Sequence, residues 1–178
     1  MSIKLSTKQI LQENLSRSTP SGLRNTKVWL HNIRSLHNVG SVFRSSDAFG
    51  INEVLLSGYT PIPPRPEISK TAIGAEEFVT WSYHKDQKSI LSALKSKNYT
   101  LVGLEQTSES IDLPDFDASA HSKMCIVMGN EVTGIDDELL PHIDHFVTIP
   151  QFGHKHSLNV SVATGVMFYA LLEKLWVK

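Results

Sequence analysis

Short apolar runs alternate along the chain with longer segments in which apolar and polar residues recur at a helical spacing. Such runs predict β-strands, because a strand covered on both faces of a sheet shows little alternation of polar and apolar residues. Strands are predicted in this way at residues 28–30, 54–56, 78–81, 100–104, 123–128 and 146–149. The run at 123–128 is strongly apolar, so its strand is predicted to lie in the middle of the sheet.

Helices are predicted at residues 7–16, 38–49, 86–97 and 158–176. Asn38 is the expected N-cap of the second helix, and Gly50 is expected to close it. Residues 18–22 have linker composition, and residues 60–66 must form a loop because four prolines remove hydrogen-bond donors. Strands alternating with helices predict an α/β fold with a mostly parallel sheet flanked by helices.

The length of 178 residues, with 40% hydrophobic residues, suits a single domain. We expect this domain at residues 27–178, after a short basic extension at residues 1–26. The single cysteine, Cys125, excludes an internal disulfide and lies in an apolar run typical of buried side chains. The longest apolar run, 166–172, is too short to span a bilayer, and the N-terminus does not resemble a secretory signal. A cytoplasmic protein is therefore expected.

The net charge of −1 is distributed unevenly. Residues 1–102 carry a net charge of +6, and residues 103–144 carry −9. A polarised surface of this kind can bind RNA on one side although the total charge is near zero. The alternative is that the basic residues are scattered and form no patch.

The first segment that can carry chemistry is Asn38 to Arg44, which reads Asn-Val-Gly-Ser-Val-Phe-Arg. It places the guanidinium of Arg44 beside the apolar side chain of Phe43. Taken alone, the segment is more typical of a capped helix with one surface arginine.

The second segment, Gly129 to Gly134, reads Gly-Asn-Glu-Val-Thr-Gly and follows the predicted central strand. Glycines that flank polar residues make a loop where a ligand can approach the backbone. The pattern fits neither the dinucleotide-binding nor the P-loop template. Glu131 can orient a ligand hydroxyl or ammonium group; the alternative is a tight turn between strand and helix.

The third segment is residues 149–163, in which Ser157 and Asn159 bring polar groups to the start of an apolar helix. Helix N-termini favour bound polar or anionic groups, because their N–H groups are free. Alternatively, Ser157 is only the N-cap of that helix. His154 and His156 have no third ligand at a matching spacing, so no metal is expected.

Together these segments resemble the SPOUT methyltransferases, specifically the TrmH (SpoU) family of RNA 2′-O-ribose methyltransferases. The family motifs occur in the expected order, with N-x-G-x-x-x-R at 38–44, G-N-E-x-x-G at 129–134 and S-L-N-V-S-V-A at 157–163. The resemblance covers about residues 27–175, and three motifs in order are much more specific than any one of them.

The resemblance implies a deep trefoil knot in the C-terminal part of the chain, and a homodimer in which Arg44 reaches the methyl donor bound by the other protomer. It implies S-adenosylmethionine as cofactor, held mostly through backbone groups of loops that contain Leu104, Gly129, Ile149 and Leu158. The catalytic positions that it implies are Arg44, Asn38, Glu131, Ser157 and Asn159.

Methyl transfer from a sulfonium centre to a ribose oxygen depends on alignment, which can supply on the order of 7–11 kcal/mol of the barrier. The guanidinium of Arg44 stays charged below about pH 12, so we interpret it as a cation that grips the adjacent phosphate and stabilises the developing alkoxide. Ser157 and Asn159 are expected to hold this geometry. No metal is required.

The expected substrate is tRNA rather than ribosomal RNA, because too few residues precede the first strand to form the extra RNA-binding domain common in ribosomal members of the family. A knotted base methyltransferase and an inactive RNA-binding module are the alternatives. An unrelated nucleotide-binding α/β enzyme is disfavoured by the missing phosphate-loop templates.

Overall fold

Seven strands form a single sheet in the structure, a computed structural model that describes residues 2–176. In chain order they are β1 (Thr26–His31), β2 (Glu53–Ser57), β3 (Thr80–His84), β4 (Thr100–Leu104), β5 (Ile111–Asp112), β6 (Met124–Met128) and β7 (His145–Thr148). Across the sheet the order is β3-β2-β1-β6-β4-β7-β5, and every pairing is parallel. The predicted parallel sheet and the central position of the strand at 124–128 are therefore confirmed.

The helices of the described chain are α1 (Thr7–Ser16), α2 (Ser21–Arg24), α3 (Leu36–Phe49), α4 (Pro66–Ala72), α5 (Gln87–Ser96) and α6 (Val160–Leu175). Short 3-10 turns occur at Ala75–Glu77, Ala118–Ala120 and Leu140–His142.

The side chains of β1 alternate between two cores. Val28 and Leu30 pack with α3, α4 and α6 on one face of the sheet, and Trp29 packs with α5 on the other. All three side chains are fully buried. Because helices cover both faces, the strands appear in the sequence as unbroken apolar runs rather than alternating ones.

Helix α3 begins at Leu36 rather than at Asn38. Its N-cap is Ser35, whose hydroxyl oxygen accepts a hydrogen bond from the backbone N–H of Asn38 over 3.3 Å. The prediction that Asn38 caps this helix is therefore wrong, and the buried Asn38 side chain is free for contacts with distant parts of the chain. Gly50 ends the helix with a φ of +66°, as predicted.

Three further differences concern short elements. The proline-rich loop runs into α4, where Pro66 occupies the first turn and its missing N–H is tolerated. Strand β3 begins at Thr80 instead of residue 78, and the Phe78 side chain is 79% exposed. Strand β5 has two residues, which is too few to produce a periodic pattern.

The N-terminal segment divides into two parts. Helix α1 has no buried residue, whereas α2 buries Leu23 completely and packs against α6. Residues 21–24 therefore belong to the packed body, although the pattern assigned them to an extension of the domain. None of the helices within residues 2–176 combines the length and the apolar character needed to cross a membrane.

Helices α3 and α4 lie close together where Gly40 of α3 meets α4. A Cβ at Gly40 would overlap the side-chain oxygen of Thr71 and the carbonyl oxygen of Ile68. The Thr71 hydroxyl group also lies 3.0 Å from the carbonyl oxygen of His37, to which it donates a hydrogen bond. A side chain at Gly40 would thus push α4 away from α3 and break this contact.

We predict that Gly40→Ala destabilises the protein by about 1–3 kcal/mol, the usual consequence of overpacking, although alanine favours helix. Urea unfolding followed by circular dichroism measures the change. Gly165→Ala is the matched control, because a Cβ at this helical glycine meets only the Ser45 hydroxyl oxygen at 3.9 Å. Equal unfolding midpoints for Gly40→Ala and wild type would contradict the prediction.

Candidate active site

A pocket of about 530 Å³ opens at the carboxyl ends of β4, β6 and β7. Its walls are the loops that follow these strands and the first turn of α6. Parallel strands end at the same edge of a sheet, so loops from distant parts of the chain meet there. The four residues assigned to cofactor binding all line this pocket: Leu104, Gly129, Ile149 and Leu158.

The five predicted catalytic residues are placed differently. Glu131, Ser157 and Asn159 line the pocket. Asn38 does not line it but is hydrogen-bonded to two residues that do. Arg44 lies outside, exposed on the surface of α3, and within residues 2–176 its guanidinium makes no hydrogen bond or ion pair.

Glu131 joins the loop after β6 to the loop after β1. Its carboxylate accepts hydrogen bonds from the backbone N–H groups of Arg34 at 2.9 Å and Ser35 at 3.0 Å. It also accepts a hydrogen bond from the Asn38 amide nitrogen at 2.9 Å. The carboxylate thus satisfies N–H groups at the start of α3 that have no partner in the helix itself.

Asn38 and Asn159 extend this connection to the last helix. The Asn159 amide nitrogen donates to the Asn38 Oδ1 atom over 3.0 Å. The Asn159 Oδ1 atom accepts from the backbone N–H of Ser161 at 2.9 Å and caps α6. The N-cap of α6 is therefore Asn159 and not Ser157, and the helix begins at Val160 rather than at residue 158. We refer to Glu131, Asn38 and Asn159 as the polar relay.

The hydrogen bonds of the polar relay determine the ionisation of Glu131. Partial burial by itself would raise the pKa of this carboxyl group. The hydrogen bonds donated by Arg34, Asn38 and Ser35 outweigh burial and lower the pKa below its ordinary value. Glu131 is therefore an anion at neutral pH and acts as a hydrogen-bond acceptor, not as a proton donor.

Two glycines in the loop after β6 are required by close contacts. A Cβ at Gly129 would overlap the backbone of Gly134, because Asn130 and Gly134 exchange two backbone hydrogen bonds of 2.9 Å. Gly134 has a φ of +73°, and a Cβ there would overlap the carboxylate of Glu105. Glu105 in turn accepts the backbone N–H of Ile135 at 3.0 Å. Sequence reasoning assigned no role to Glu105.

A second group of contacts supports the same loop, and the motif at 129–134 did not predict them although it contains Asn130. The Asn130 amide nitrogen donates to the backbone carbonyl of Asn32 and to the Tyr59 hydroxyl oxygen, both at 2.8 Å. The Asp136 carboxylate accepts from the Asn32 amide nitrogen at 2.8 Å and lies 3.0 Å from the His31 Nε2 atom. These partners are 71 to 105 positions apart, so no local pattern could have indicated the contacts between them.

The Gln106 side chain joins the loop after β4 to the segment before α6. It donates a hydrogen bond to the backbone carbonyl of His156 over 2.8 Å. His154 and His156 are both exposed. Among residues 2–176, no three His, Cys, Asp or Glu side chains are grouped so that they could hold a metal ion.

Comparison with known proteins identifies the family. Residues 25–169 match the model of the SpoU rRNA Methylase family. The chain belongs to the SpoU rRNA Methylase family. The resemblance inferred from the three motifs is thereby confirmed.

Two curated relatives of this SpoU chain are tRNA (guanosine(18)-2′-O)-methyltransferases. The protein of Borreliella burgdorferi is 28% identical over 147 residues, which cover 82% of this chain and 65% of the relative. The protein of Escherichia coli strain K12 is 29% identical over 157 residues, which cover 88% of this chain and 65% of the relative.

A solved structure, the AdoMet-bound rRNA methyltransferase from Sinorhizobium meliloti, superposes with a TM-score of 0.80 at 26% identity. The match covers 90% of this chain and 62% of that one. The chain therefore spans less than two thirds of the length of each of these three relatives. The common fold extends over almost the whole SpoU chain.

We predict that Glu131→Gln lowers the melting temperature at pH 7 by about 2–4 °C, equivalent to roughly 1 kcal/mol in a chain of this size. A glutamine presents one accepting oxygen and one NH₂ group to backbone N–H donors that need two acceptors. Because the folded-state pKa of Glu131 is lowered, its contribution is complete above the unfolded-state pKa and lost as pH falls through the folded-state value.

The difference between wild type and Glu131→Gln should therefore shrink as the pH is lowered from 7 towards 3. Thermal unfolding at several pH values measures it. Glu109→Gln is the control, since Glu109 is exposed and its carboxylate makes no hydrogen bond within the described chain. A Glu131→Gln protein as stable as wild type at pH 7 would refute this account of the polar relay.

Proposed function

We propose that this chain transfers a methyl group from S-adenosylmethionine to a ribose 2′-hydroxyl group of RNA, and that its substrate is tRNA. The observation that carries the proposal is the pocket at the ends of β4, β6 and β7, whose rim is organised by the polar relay. Family membership and the two relatives named for 2′-O-methylation of a tRNA guanosine support it.

The pocket fits the proposed cofactor in size and chemistry. Its volume of about 530 Å³ lies within the range of roughly 300–1,000 Å³ that is usual for small-molecule sites. The pocket is lined by the apolar residues Leu104, Ile149 and Leu158, which can pack against the flat adenine base of the cofactor. The loop at Gly129 lets a ligand approach the backbone. When bound, the cofactor supplies an activated methyl group.

Only some of the five catalytic candidates are available to a substrate. The polar side chains of Glu131, Asn38 and Asn159 are hydrogen-bonded to one another and to backbone groups. We assign these three to positioning the loops. Arg44 and Ser157 make no side-chain hydrogen bond within residues 2–176, and we assign them to substrate contact.

Arg44 has the chemistry of a stabilising cation and not of a base. Its guanidinium stays protonated below about pH 12, so it cannot take the proton of the ribose hydroxyl. It can form two parallel hydrogen bonds to a phosphate and stabilise negative charge that develops on the ribose oxygen. Ser157, at the rim of the pocket, can hold the ribose in line.

The proposal includes a two-fold homodimer in which Arg44 serves the pocket of the partner. Its support is that Arg44 is exposed on α3 and does not line the pocket of its own chain. Helix α6 also exposes apolar surface at Val162, Val166 and Tyr169, which are 52%, 39% and 53% exposed. Other apolar residues of α6, such as Phe168, are buried in the core of their own chain and are not available for a dimer.

The proposal also includes the deep trefoil knot. Its support is that β6 lies between β1 and β4, and that α6, after the last strands, packs against α3 and α2 near the start of the chain. A chain that returns to its beginning in this way has the connectivity from which a threaded C-terminal segment can be formed.

We predict that Arg44→Ala lowers the rate of methyl transfer by on the order of 100-fold or more, while the affinity for S-adenosylmethionine changes only a few-fold. Arg44→Lys should also transfer methyl groups slowly, because an ammonium group lacks the planar fork of guanidinium. Labelled methyl transfer and calorimetric cofactor titration measure the two quantities. Near-normal turnover of Arg44→Ala would show that the assigned role is wrong.

Mixed dimers test whether Arg44 acts across the interface. Gly134→Ala should be inactive by itself, because the new Cβ overlaps Glu105 at a residue with positive φ. Co-expressed Arg44→Ala and Gly134→Ala chains should regain about a quarter of wild-type activity, since half of the dimers then contain one complete site. If the co-expressed chains remain inactive, Arg44 acts in the site of its own chain or the dimer does not form.

We predict label in tRNA, and in a 2′-O-methylated nucleoside after digestion, when the protein is offered bulk tRNA and deproteinised ribosomal RNA with labelled cofactor. The basic side chains can contact phosphates but cannot read sequence, which suits a small RNA recognised by its shape. Label only in ribosomal RNA would overturn the choice of tRNA. Label in a methylated base would instead favour the base methyltransferases.

Deletion of residues 2–17 tests whether the basic N-terminus contacts the RNA. It removes Lys4, Lys8 and Arg17 together with α1, which has no buried residue, and it leaves the buried Leu23 in place. Binding of bulk tRNA should weaken and become less salt-dependent, while cofactor affinity stays unchanged. Unchanged affinity for tRNA would show that α1 makes no phosphate contact.

A further inference from the structure

Tyr59 presents a large aromatic surface to solvent in a turn that is otherwise firmly held. The residue is 60% exposed, although the neighbouring Thr60 is buried. The Thr60 hydroxyl group donates to the carbonyl of Leu30 and accepts from the N–H of Ile33, both at 3.1 Å. The turn after β2 is thereby attached to the loop after β1.

Tyr59 itself is held by two hydrogen bonds, one to its side chain and one from its backbone. Its hydroxyl oxygen accepts a hydrogen bond from the Asn130 amide nitrogen at 2.8 Å, and its backbone N–H donates to the Asn32 side chain at 3.2 Å. Gly58 has a φ of +65°, and its carbonyl accepts a hydrogen bond from the Tyr83 hydroxyl group at 2.9 Å. The ring is therefore immobilised before any partner arrives, which lowers the entropy that binding must remove.

The position of this ring connects it to the polar relay. Asn130, which holds the Tyr59 hydroxyl group, immediately precedes Glu131 in the loop after β6. Arg34, whose N–H is bound by Glu131, is exposed on the loop that Tyr59 contacts. An exposed aromatic face and an exposed cation therefore lie on adjoining loops at the edge of the sheet where the pocket opens.

We propose that Tyr59 is a stacking platform for an unpaired RNA base next to the methylated nucleotide. Aromatic side chains bind splayed-out bases through their faces, without regard to sequence, and a neighbouring cation contacts the phosphate. This inference rests on the proposed RNA substrate and adds a contact that determines how the RNA is held. A purely supporting role, in which the hydroxyl group only braces Asn130, makes different demands on the side chain.

Substitutions separate stacking from support. Tyr59→Phe keeps the ring and loses the hydrogen bond to Asn130; Tyr59→Ala loses both; Tyr59→Trp offers a larger ring. Stacking predicts that Tyr59→Ala raises the KM for bulk tRNA on the order of tenfold, while Tyr59→Phe and Tyr59→Trp stay within about threefold of wild type. Tyr59→Ala and Tyr59→Phe lose the same hydrogen bond to Asn130, so stacking predicts that the two variants share one cofactor affinity and one melting temperature while their KM values for tRNA differ.

The supporting role predicts the opposite pattern. Tyr59→Phe would then be as damaging as Tyr59→Ala, and both would weaken cofactor binding through the loop that contains Asn130. That result would overturn the proposal. Phe78→Ala is the matched control, since this aromatic residue is 79% exposed but precedes β3, at the end of the sheet opposite the pocket. An equal rise in KM for Phe78→Ala would also overturn it.

A direct measurement uses the fluorescence of Tyr59→Trp during titration with bulk tRNA, after subtraction of the wild-type signal. Quenching of the added indole is expected, because a base stacked on it changes its surroundings. If wild type methylates tRNA but the indole signal is unchanged, the stacking proposal alone fails. If wild type methylates no RNA, the proposed function fails first, whatever the fluorescence shows.

Discussion

The structure of the site depends on one carboxylate. Glu131 accepts hydrogen bonds from three N–H groups, two in the backbone at the start of α3 and one in the Asn38 side chain. Asn38 in turn is hydrogen-bonded to Asn159, the N-cap of α6. Three segments that are far apart in sequence are thereby brought into one fixed arrangement. Removal of the charge leaves several donors partly unsatisfied at once, so this one side chain controls the part of the rim where α3 and α6 begin.

The parallel sheet makes this arrangement possible. All strands end at the same edge, and the order β1-β6-β4-β7 brings the loops after these four strands side by side. The apolar strands give the loops a rigid base, while glycines at 129 and 134 allow the loop after β6 to fold tightly against Glu105. Precision at the rim thus comes from strand ends and backbone contacts, with few side chains that could move independently.

Local sequence signals predicted the parts of the fold that follow local rules. The parallel sheet, its central strand and the glycine that ends α3 were accessible because apolar periodicity and capping signals carry that information, whereas the four residues assigned to the cofactor followed only from the family resemblance. The roles of Asn38 and Ser157 could not be predicted from local signals. Both residue types are good N-caps, and only the position of Ser35 and Asn159 in space decides which side chain performs the capping.

The side chains that support the loops escaped prediction for a related reason. Glu105, Asn130 and Asp136 contact partners that lie 30 to 105 positions away, and the sequence around them does not identify those partners, although Asn130 belongs to the motif at 129–134. The short helix α4 and strand β5 also gave no periodic signal. What could not be predicted is therefore the part of the structure in which polar contacts join segments that are distant along the chain.

The long sequence separations within the polar relay have a consequence for how the protein is made. Glu131 and Asn38 are 93 positions apart, and Asn38 and Asn159 are 121 apart. Closing chain segments of this length is entropically slow; the first contact cannot form before Glu131 has emerged from the ribosome, and the second cannot form before Asn159, at the start of the C-terminal helix, has emerged. The first half of the chain can form β1, α3, β2 and β3, but it contains no part of the pocket. A complete pocket therefore requires translation beyond Ala163, and a product that stops before β6 lacks most of the pocket lining.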